Sequence, residues 1–196
     1  MKFRILVLLS VLLPFLVSAE EKQSAFRSLN ADDGLTHNAV LAILQDRMGF
    51  MWFGTKDGLN RYDGTEIRII AVEDAIPGNN YITTLCEDGD GCIWMGTDAG
   101  VCIYDPGTER AHRFLERSDD GSTISGNIAN IVMAPDSTIW ICGGNQGFFR
   151  YDPAIRKLTH IITDKTGTRT YTARNICFTP QGIACIALDD GNIYLS

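Results

Sequence analysis

The sequence predicts an all-β fold made of β-propeller blades, each a four-stranded antiparallel sheet. Trp52, Trp94 and Trp140 recur 42 and 46 residues apart, each inside a short apolar run. A Tyr-Asp pair follows each Trp after a turn that contains glycine. A period in the forties, built from short apolar runs and turn residues, is typical of propeller blades. We therefore expect three complete blades and a partial fourth.

A degenerate fourth copy extends the repeat. Residues 182–191 follow the pattern with Cys185 at the Trp position, 45 residues after Trp140. The third copy has one extra residue, Gly143 or Gly144, in its second turn. The propeller region is expected to cover residues 26–196, with blades at about 36–72, 78–116, 123–164 and 172–196.

The first repeat shows how one blade forms. Its aliphatic first segment predicts a strand that is buried on both faces. Its last segment alternates polar and apolar residues, as an exposed outer strand should. Turns that contain Gly or Asp-Gly separate the segments. The four predicted strands cover residues 39–44, 51–53, 59–62 and 66–70.

The residues that recur in each copy have structural explanations. An indole fills the wedge between neighbouring sheets and buries on the order of 200 Å². Glycine adopts turn conformations that other residues rarely adopt, and an Asp after the Tyr favours the start of a turn. A ligand site needs residues that break the repeat, so these are assigned to the scaffold. The scaffold residues are Trp52, Trp94, Trp140, Tyr62, Tyr104, Tyr151, Asp63, Asp105, Asp152, Gly58, Gly100 and Gly147.

Residues 1–19 have the layout of a secretory signal peptide. Lys2 and Arg4 precede an apolar run, and residues 17–19 (Val-Ser-Ala) offer small side chains for cleavage. The run of about 13 apolar residues is shorter than the roughly 20 that span a bilayer. We therefore expect export to the periplasm. The formal net charge of −7 argues against nucleic acid or anionic lipid as a partner, since both require clustered Lys and Arg.

Six cysteines raise the question of disulfides, because an exported protein meets an oxidising compartment. Most lie in apolar strand patterns, where Cys packs as a small hydrophobe, so buried thiols are expected there. These residues are Cys92, Cys102, Cys142, Cys177 and Cys185. Cys86 and Cys92 flank the turn at 87–91 and are the one pair whose spacing suggests a bond.

The chain shows none of the usual patterns for catalysis or metal binding. It lacks a Cys-x-x-Cys or Cys/His ligand spacing, a Ser/His/Asp set and a clustered carboxylate pair. His37, His112 and His160 fall at unrelated positions of the repeat. We expect no catalytic residues, no metal site and no cofactor.

The first repeat carries a motif that is more specific than a lone Trp-Gly pair. Residues 33–40 read Asp-Gly-Leu-Thr-His-Asn-Ala-Val, residues 52–55 Trp-Phe-Gly-Thr, and residues 58–64 Gly-Leu-Asn-Arg-Tyr-Asp-Gly. Ile43, Asp46 and Gly49 lie between them. This motif resembles the two-component regulator propeller repeat. The resemblance covers residues 26–195 and weakens from the first copy to the fourth.

The chain is similar to the N-terminal periplasmic sensor region of Bacteroides-type hybrid two-component systems. That resemblance implies seven-bladed propellers followed by a further β-domain, a membrane helix, a histidine kinase and a response regulator. It also implies an oligosaccharide ligand and, in a full-length form, a homodimer anchored in the membrane. We therefore expect a ligand-sensing fragment of a seven-bladed propeller, with the kinase outside this sequence.

Three alternatives stay open. Residues 26–29 fit a strand that completes the last blade, so the chain could instead close as a four-bladed ring. The fragment is favoured because the family closes with more blades. A propeller can also be a protein-interaction scaffold, and some propellers are lyases or hydrolases, which the fold alone does not exclude.

Polar residues that break the repeat on one face of the propeller are the candidate ligand contacts. The loops from second to third strand, and from outer strand to the next blade, share that face. Tyr81 suits stacking on a sugar ring, and amide and guanidinium groups suit hydroxyl and carboxylate recognition. The candidates are His37, Lys56, Tyr81, Asp98, Asn145, Gln146 and Arg174.

A partial propeller leaves strand edges and sheet faces uncovered. We predict that residues 20–196 alone aggregate or stay partly unfolded, which size-exclusion chromatography and thermal unfolding measure. A monomer that melts sharply and cooperatively would contradict this prediction.

Overall fold

The computed structural model describes residues 26–72, 80–161, 172–189, 191 and 193–195. The predicted signal peptide and residues 73–79, between the first two repeats, lie outside the described residues. In the described part, no helix is long and apolar enough to cross a membrane.

The described strands form four antiparallel sheets, each with its strands in chain order. The first sheet contains β1 (Val40–Gln45), β2 (Met51–Thr55), β3 (Gly58–Tyr62) and β4 (Ile67–Ile70). The second contains β5 (Ile82–Glu87), β6 (Ile93–Thr97), β7 (Gly100–Asp105) and β8 (Arg110–Arg113). The third contains β9 (Asn130–Met133), β10 (Ile139–Cys142), β11 (Phe148–Asp152) and β12 (Lys157–Ile161). The fourth contains β13 (Ala173–Phe178), β14 (Ala184–Leu188) and β15 (Ile193–Leu195).

These sheets confirm the predicted all-β fold of four-stranded blades with a partial last blade. Residues 26–29 lie outside any strand, and Phe26 is fully exposed. In the described residues the fourth sheet therefore has three strands, without the closing strand of a four-bladed ring.

Each sheet packs its inner residues against the next sheet along the chain. Tyr104 of the second sheet lies on the indole of Trp52, with ring centroids 5.7 Å apart. Tyr151 of the third sheet lies on Trp94 at the same distance, and Phe114 packs there as well. Trp52 and Trp94 are accordingly 0% and 2% exposed, as the wedge-filling prediction requires.

In the turn between β5 and β6, the carboxylate of Asp88 holds the indole of Trp94 in place. Asp88 Oδ1 accepts hydrogen bonds from the backbone N–H groups of Asp90 and Cys92. Asp88 Oδ2 accepts from Trp94 Nε1 at 2.7 Å. Asp46 holds Trp52 in the same way, also at 2.7 Å. One Asp therefore shapes the turn and satisfies the buried indole N–H, which would otherwise be costly.

The Asp that follows each Tyr starts a turn, as predicted. Asp63 Oδ1 accepts from the backbone and hydroxyl of Thr65 and from the backbone of Glu66. These bonds, with Glu66 first, lower the pKa of Asp63 to about 2. Asp105 and Asp152 cap the equivalent turns.

Glycine is required where neighbouring sheets approach each other closely. A Cβ added at Gly96 would lie 2.8 Å from Ile128 Cγ2, just before the third sheet, and 2.5 Å from Thr84 Cγ2 on the adjacent strand of its own sheet. A Cβ added at Gly54 would lie 2.6 Å from Ile82 Cγ2. At the third junction, between the third and fourth sheets, the larger residue is on the earlier sheet. Cys142 replaces the glycine there and shares a buried cluster with the small residue Ala173. A larger residue on one sheet is matched by a smaller one on the next.

The prediction that the first strand is buried on both faces is wrong. Burial alternates along β1, and the side chains of Leu41 and Ile43 are 39% and 63% exposed. Ile69 on β4 is 58% exposed. The second sheet covers one face of the first sheet, and nothing in the described residues covers the other.

None of the six cysteines, all within the described ranges, forms a disulfide. Cys86 and Cys92, the pair suggested by spacing, both pack with the apolar cluster that contains Trp94. The prediction that Cys177 is buried in its strand is wrong. Its side chain is exposed, because it alternates along β13 with Ile176, which is buried with Cys142 and Phe148 of the third sheet.

We predict that Gly96→Ala lowers the free energy of unfolding by about 1–3 kcal/mol, because the new methyl group overpacks the junction. Urea unfolding of the monomeric fraction measures this change. Gly89→Ala is the matched control, since an added Cβ meets nothing within 4 Å at that position. Equal losses in the two variants would contradict the steric explanation.

Candidate functional site

The ligand contacts predicted from the sequence lie on one face, which we call the loop face. It is formed by the turns between the second and third strands of each sheet and by the loops that connect one sheet to the next. His37, Lys56, Asp98, Asn145 and Arg174 are exposed. Tyr81 and Gln146 are partly buried. The surface cleft described below is lined by other residues.

At the first junction, local hydrogen bonds hold the candidate residues. His37 Nδ1 accepts from the backbone of Ala39 at 2.8 Å. The backbone N–H of Lys56 donates to Ala39 O, and its neighbour Asp57 accepts from the side chain of Asn80. His37 and Lys56 are therefore both tied to Ala39.

At the third junction, the structure brings Asn145 and Gln146 next to the strand that carries Arg174. The 3-10 helix Gly144–Gln146 packs against β13. The Gln146 side chain bonds the backbone of Ser125 at 2.9 Å and of Thr123 at 3.1 Å. Gln146 therefore has a structural role, which leaves Asn145 and Arg174 as the candidates that project from this junction.

A different site lies at the opposite end of the third and fourth sheets. A cleft of about 400 Å³ opens there, beside the β9–β10 and β13–β14 turns. It combines two aromatic rings with an acidic and a basic side chain. Its lining residues are Ala134, Pro135, Asp136, Trp140, Arg150, Phe178, Gly182 and Ala184.

The β9–β10 turn explains why Trp140 faces this cleft. Ala134 stands where Asp46 and Asp88 hold the first two indoles, six residues before each Trp. Trp140 Nε1 instead donates to Thr138 Oγ1 at 3.2 Å. The indole is partly exposed, unlike that of Trp52 or Trp94.

The Tyr that covers the preceding indole in the second and third sheets is replaced in the fourth repeat by Ser196, which lies outside the described residues. Trp94 pairs across the sheet with Ile103, just before Tyr104, whereas Cys185 pairs with Leu195, which precedes Ser196 in the sequence. Phe178 contacts Trp140 edge-on, with ring centroids 5.7 Å apart. One edge of the indole is therefore packed and the cleft keeps an aromatic wall.

An ion pair forms the polar wall of the cleft. Arg150 donates to Asp136 Oδ2 at 2.9 Å, and Arg150 Nε donates to Thr138 Oγ1 at 3.3 Å. The hydrogen bond from Thr138, followed by those of Arg150, lowers the pKa of Asp136, so the carboxylate is ionised at neutral pH. Both side chains remain accessible, with 57% of Asp136 and 39% of Arg150 exposed.

Sequence reasoning placed Trp140 in the scaffold and missed this cleft. The signal was present as two breaks in the repeat, Ala134 at the Asp position and Ser137 at the position of Gly49 and Gly91. Ser137 adopts a φ of 66°, a conformation that favours glycine. Within the described residues, no group of three or more His, Cys, Asp or Glu is placed to hold a metal ion.

The repeats and the fold are similar to those of known signalling proteins. The two-component regulator propeller family matches residues 34–57 and 76–99. The histidine kinase P4 of Formosa agariphila is 38% identical over 63 residues, which are 32% of this chain and 5% of that protein.

Two solved extracellular domains of hybrid two-component systems from B. thetaiotaomicron share the fold. One has a TM-score of 0.73 at 24% identity, over 86% of this chain and 24% of that one. The other has a TM-score of 0.71 at 20% identity, over 89% and 23%. At these identities the likeness shows the fold alone, and the chain spans about a quarter of each domain. The two matched segments lie in the first two repeats, and they agree with the resemblance that the sequence motif suggested.

Proposed function

We propose that this chain is a periplasmic ligand-sensing module of a two-component signal transduction system, exported by residues 1–19. The matched repeats and the fold shared with extracellular domains support this function. The similar proteins are several times longer than the match. A membrane helix, kinase and regulator would therefore belong to a longer form or to a partner of this chain.

The cleft beside Trp140 carries the proposal for the ligand, which is an oligosaccharide. A sugar ring has an apolar C–H face that suits the partly exposed indole of Trp140, and hydroxyl groups that need both donors and acceptors. Asp136 supplies carboxylate acceptors, and Arg150 uses only part of its five-donor guanidinium in the bonds above. Because the ion pair is neutral overall, a neutral sugar suits the cleft better than a strongly charged one. The volume of about 400 Å³ fits one or two sugar rings and lies within the usual range for ligand pockets.

The loop face is the second proposed location. Asn145 and Arg174 are exposed on this face, and they lie near each other because the 3-10 helix Gly144–Gln146 packs against β13. His37, Lys56, Tyr81 and Asp98 would belong to the same face. The cleft ranks first because it offers an aromatic surface and a polar pair in one concave place.

We predict that the monomeric fraction of the chain, isolated by size-exclusion chromatography, binds a neutral oligosaccharide. Isothermal titration calorimetry across fragments of plant and microbial polysaccharides measures this binding. Trp140→Ala and Arg150→Ala should each weaken binding about tenfold or more, equivalent to about 1.4 kcal/mol. Asn145→Ala, on the other face, is the matched control and should bind as the parent does.

Other outcomes separate the alternatives. Weaker binding by Asn145→Ala and Arg174→Ala, with Trp140→Ala unaffected, would move the site to the loop face. Cleavage of the oligosaccharide would identify a propeller lyase or hydrolase. Retention of a protein partner without sugar binding would identify an interaction scaffold and contradict the proposed ligand.

A further inference from the structure

Two cysteines face each other across the hairpin of the fourth sheet. Cys177 on β13 and Cys185 on β14 are direct partners in the antiparallel register. Directly paired residues of antiparallel strands project from the same face of the sheet. The pKa of the Cys185 thiol is raised first by desolvation and then by the neighbouring Cys177 thiol, in agreement with this register.

The backbone spacing at this pair is compatible with a disulfide. Thr179 N donates to Ile183 O at 2.9 Å near the hairpin turn, so the pair two residues away is also a hydrogen-bonded pair. Such pairs have Cα atoms about 5.5 Å apart, inside the range of about 4.4–6.8 Å found in disulfides. Their Cβ atoms lie near the upper end of the cross-strand range, at about 5.5 Å, because the non-hydrogen-bonded pairs are the closer ones. They must therefore approach each other by about 1 Å or more to form a disulfide, and a bond formed under such strain is more readily reduced.

Accessibility distinguishes this pair from the other cysteines. Cys177 is exposed and Cys185 partly exposed, whereas Cys86, Cys102 and Cys142 are buried. Burial raises the pKa of Cys86 and Cys102 to about 11 and that of Cys142 to about 12. Thiolates are the reactive form, so those three sites are poorly reactive.

The remaining cysteine has no thiol opposite it. Cys92 lies just before β6, and its pKa is raised to about 11, first by burial and then by Asp88. Cys86, the nearest cysteine along the chain, pairs with Trp94 across the sheet rather than with Cys92. In the part of the chain that the structure describes, Cys177 and Cys185 are therefore the pair set in cross-strand register.

We propose that Cys177 and Cys185 form a reversible intramolecular disulfide that links the two strands of the fourth-blade hairpin. The oxidant is a disulfide of glutathione or of a thiol oxidase. The Cys177 thiolate attacks one oxidant sulfur and expels a thiolate, which gives a mixed disulfide. The Cys185 thiolate then attacks the Cys177 sulfur and expels the second thiolate. Two protein thiols lose two electrons and two protons, and one oxidant disulfide becomes two thiols.

The test is to expose the folded chain to oxidised glutathione, quench it in acid, alkylate it in denaturant and digest it with trypsin. Cleavage after Arg174 releases residues 175–196, which contain both cysteines and no further Lys or Arg. We expect this peptide to escape alkylation and to be lighter than its reduced form by two hydrogen atoms. The readout does not depend on ligand binding, so its outcome is separate from that of the proposed function.

Single variants make the result decisive. Cys185→Ser should carry glutathione on Cys177 and form no link, whereas Cys92→Ser should keep the link unchanged. Full alkylation of both cysteines in the parent, under conditions in which Cys185→Ser takes up glutathione, would overturn the proposal. Failure of Cys177 to react in Cys185→Ser, or a link from either residue to another cysteine, would also overturn it.

Discussion

The structure depends on one contact between blades, in which the indole of one sheet packs under a Tyr of the next. Trp52 under Tyr104 and Trp94 under Tyr151 join successive sheets at the same ring distance. The contact requires the indole to be buried, and burial requires a partner for its N–H group. The turn Asp supplies that partner, so the turn and the junction are coupled through a single side chain.

Several substitutions together remove the Trp–Tyr contact from the third junction, between the third and fourth sheets. Ala134 removes the turn carboxylate, Thr138 accepts the indole N–H at a longer distance, and Arg150 binds Asp136 beside it. Cys142 also replaces the glycine of the first two junctions, opposite the smaller Ala173. These changes are mutually consistent, because the junction is tightly packed around Cys142 and Ala173 and open at the cleft beside Trp140. The candidate site is therefore a modified blade junction rather than a loop added to the scaffold.

The sequence was sufficient to predict the elements whose cause is local. Strand positions followed from apolar periodicity, and the turns at Asp63 and Asp105 followed from residues two or three positions away. The cleft and the Cys177–Cys185 pair were missed because they depend on cross-strand register and on which sheet covers which face. The burial of β1 was overestimated for the same reason, since an aliphatic strand such as Val40–Gln45 does not reveal whether a neighbour covers both of its faces.

The two ends of the described array present different surfaces. Leu41, Ile43 and Ile69 are exposed at the first end, and Ile193 and Leu195 at the last. A contact that joins the last sheet of one copy to the first sheet of another is heterologous, with a different patch on each partner. Such contacts produce a ring if the rotation closes and an open filament if it does not. If copies of this chain met in this way, the stacking that orders blades within the chain would also order chains, and the angle between successive sheets would decide between a ring and a filament.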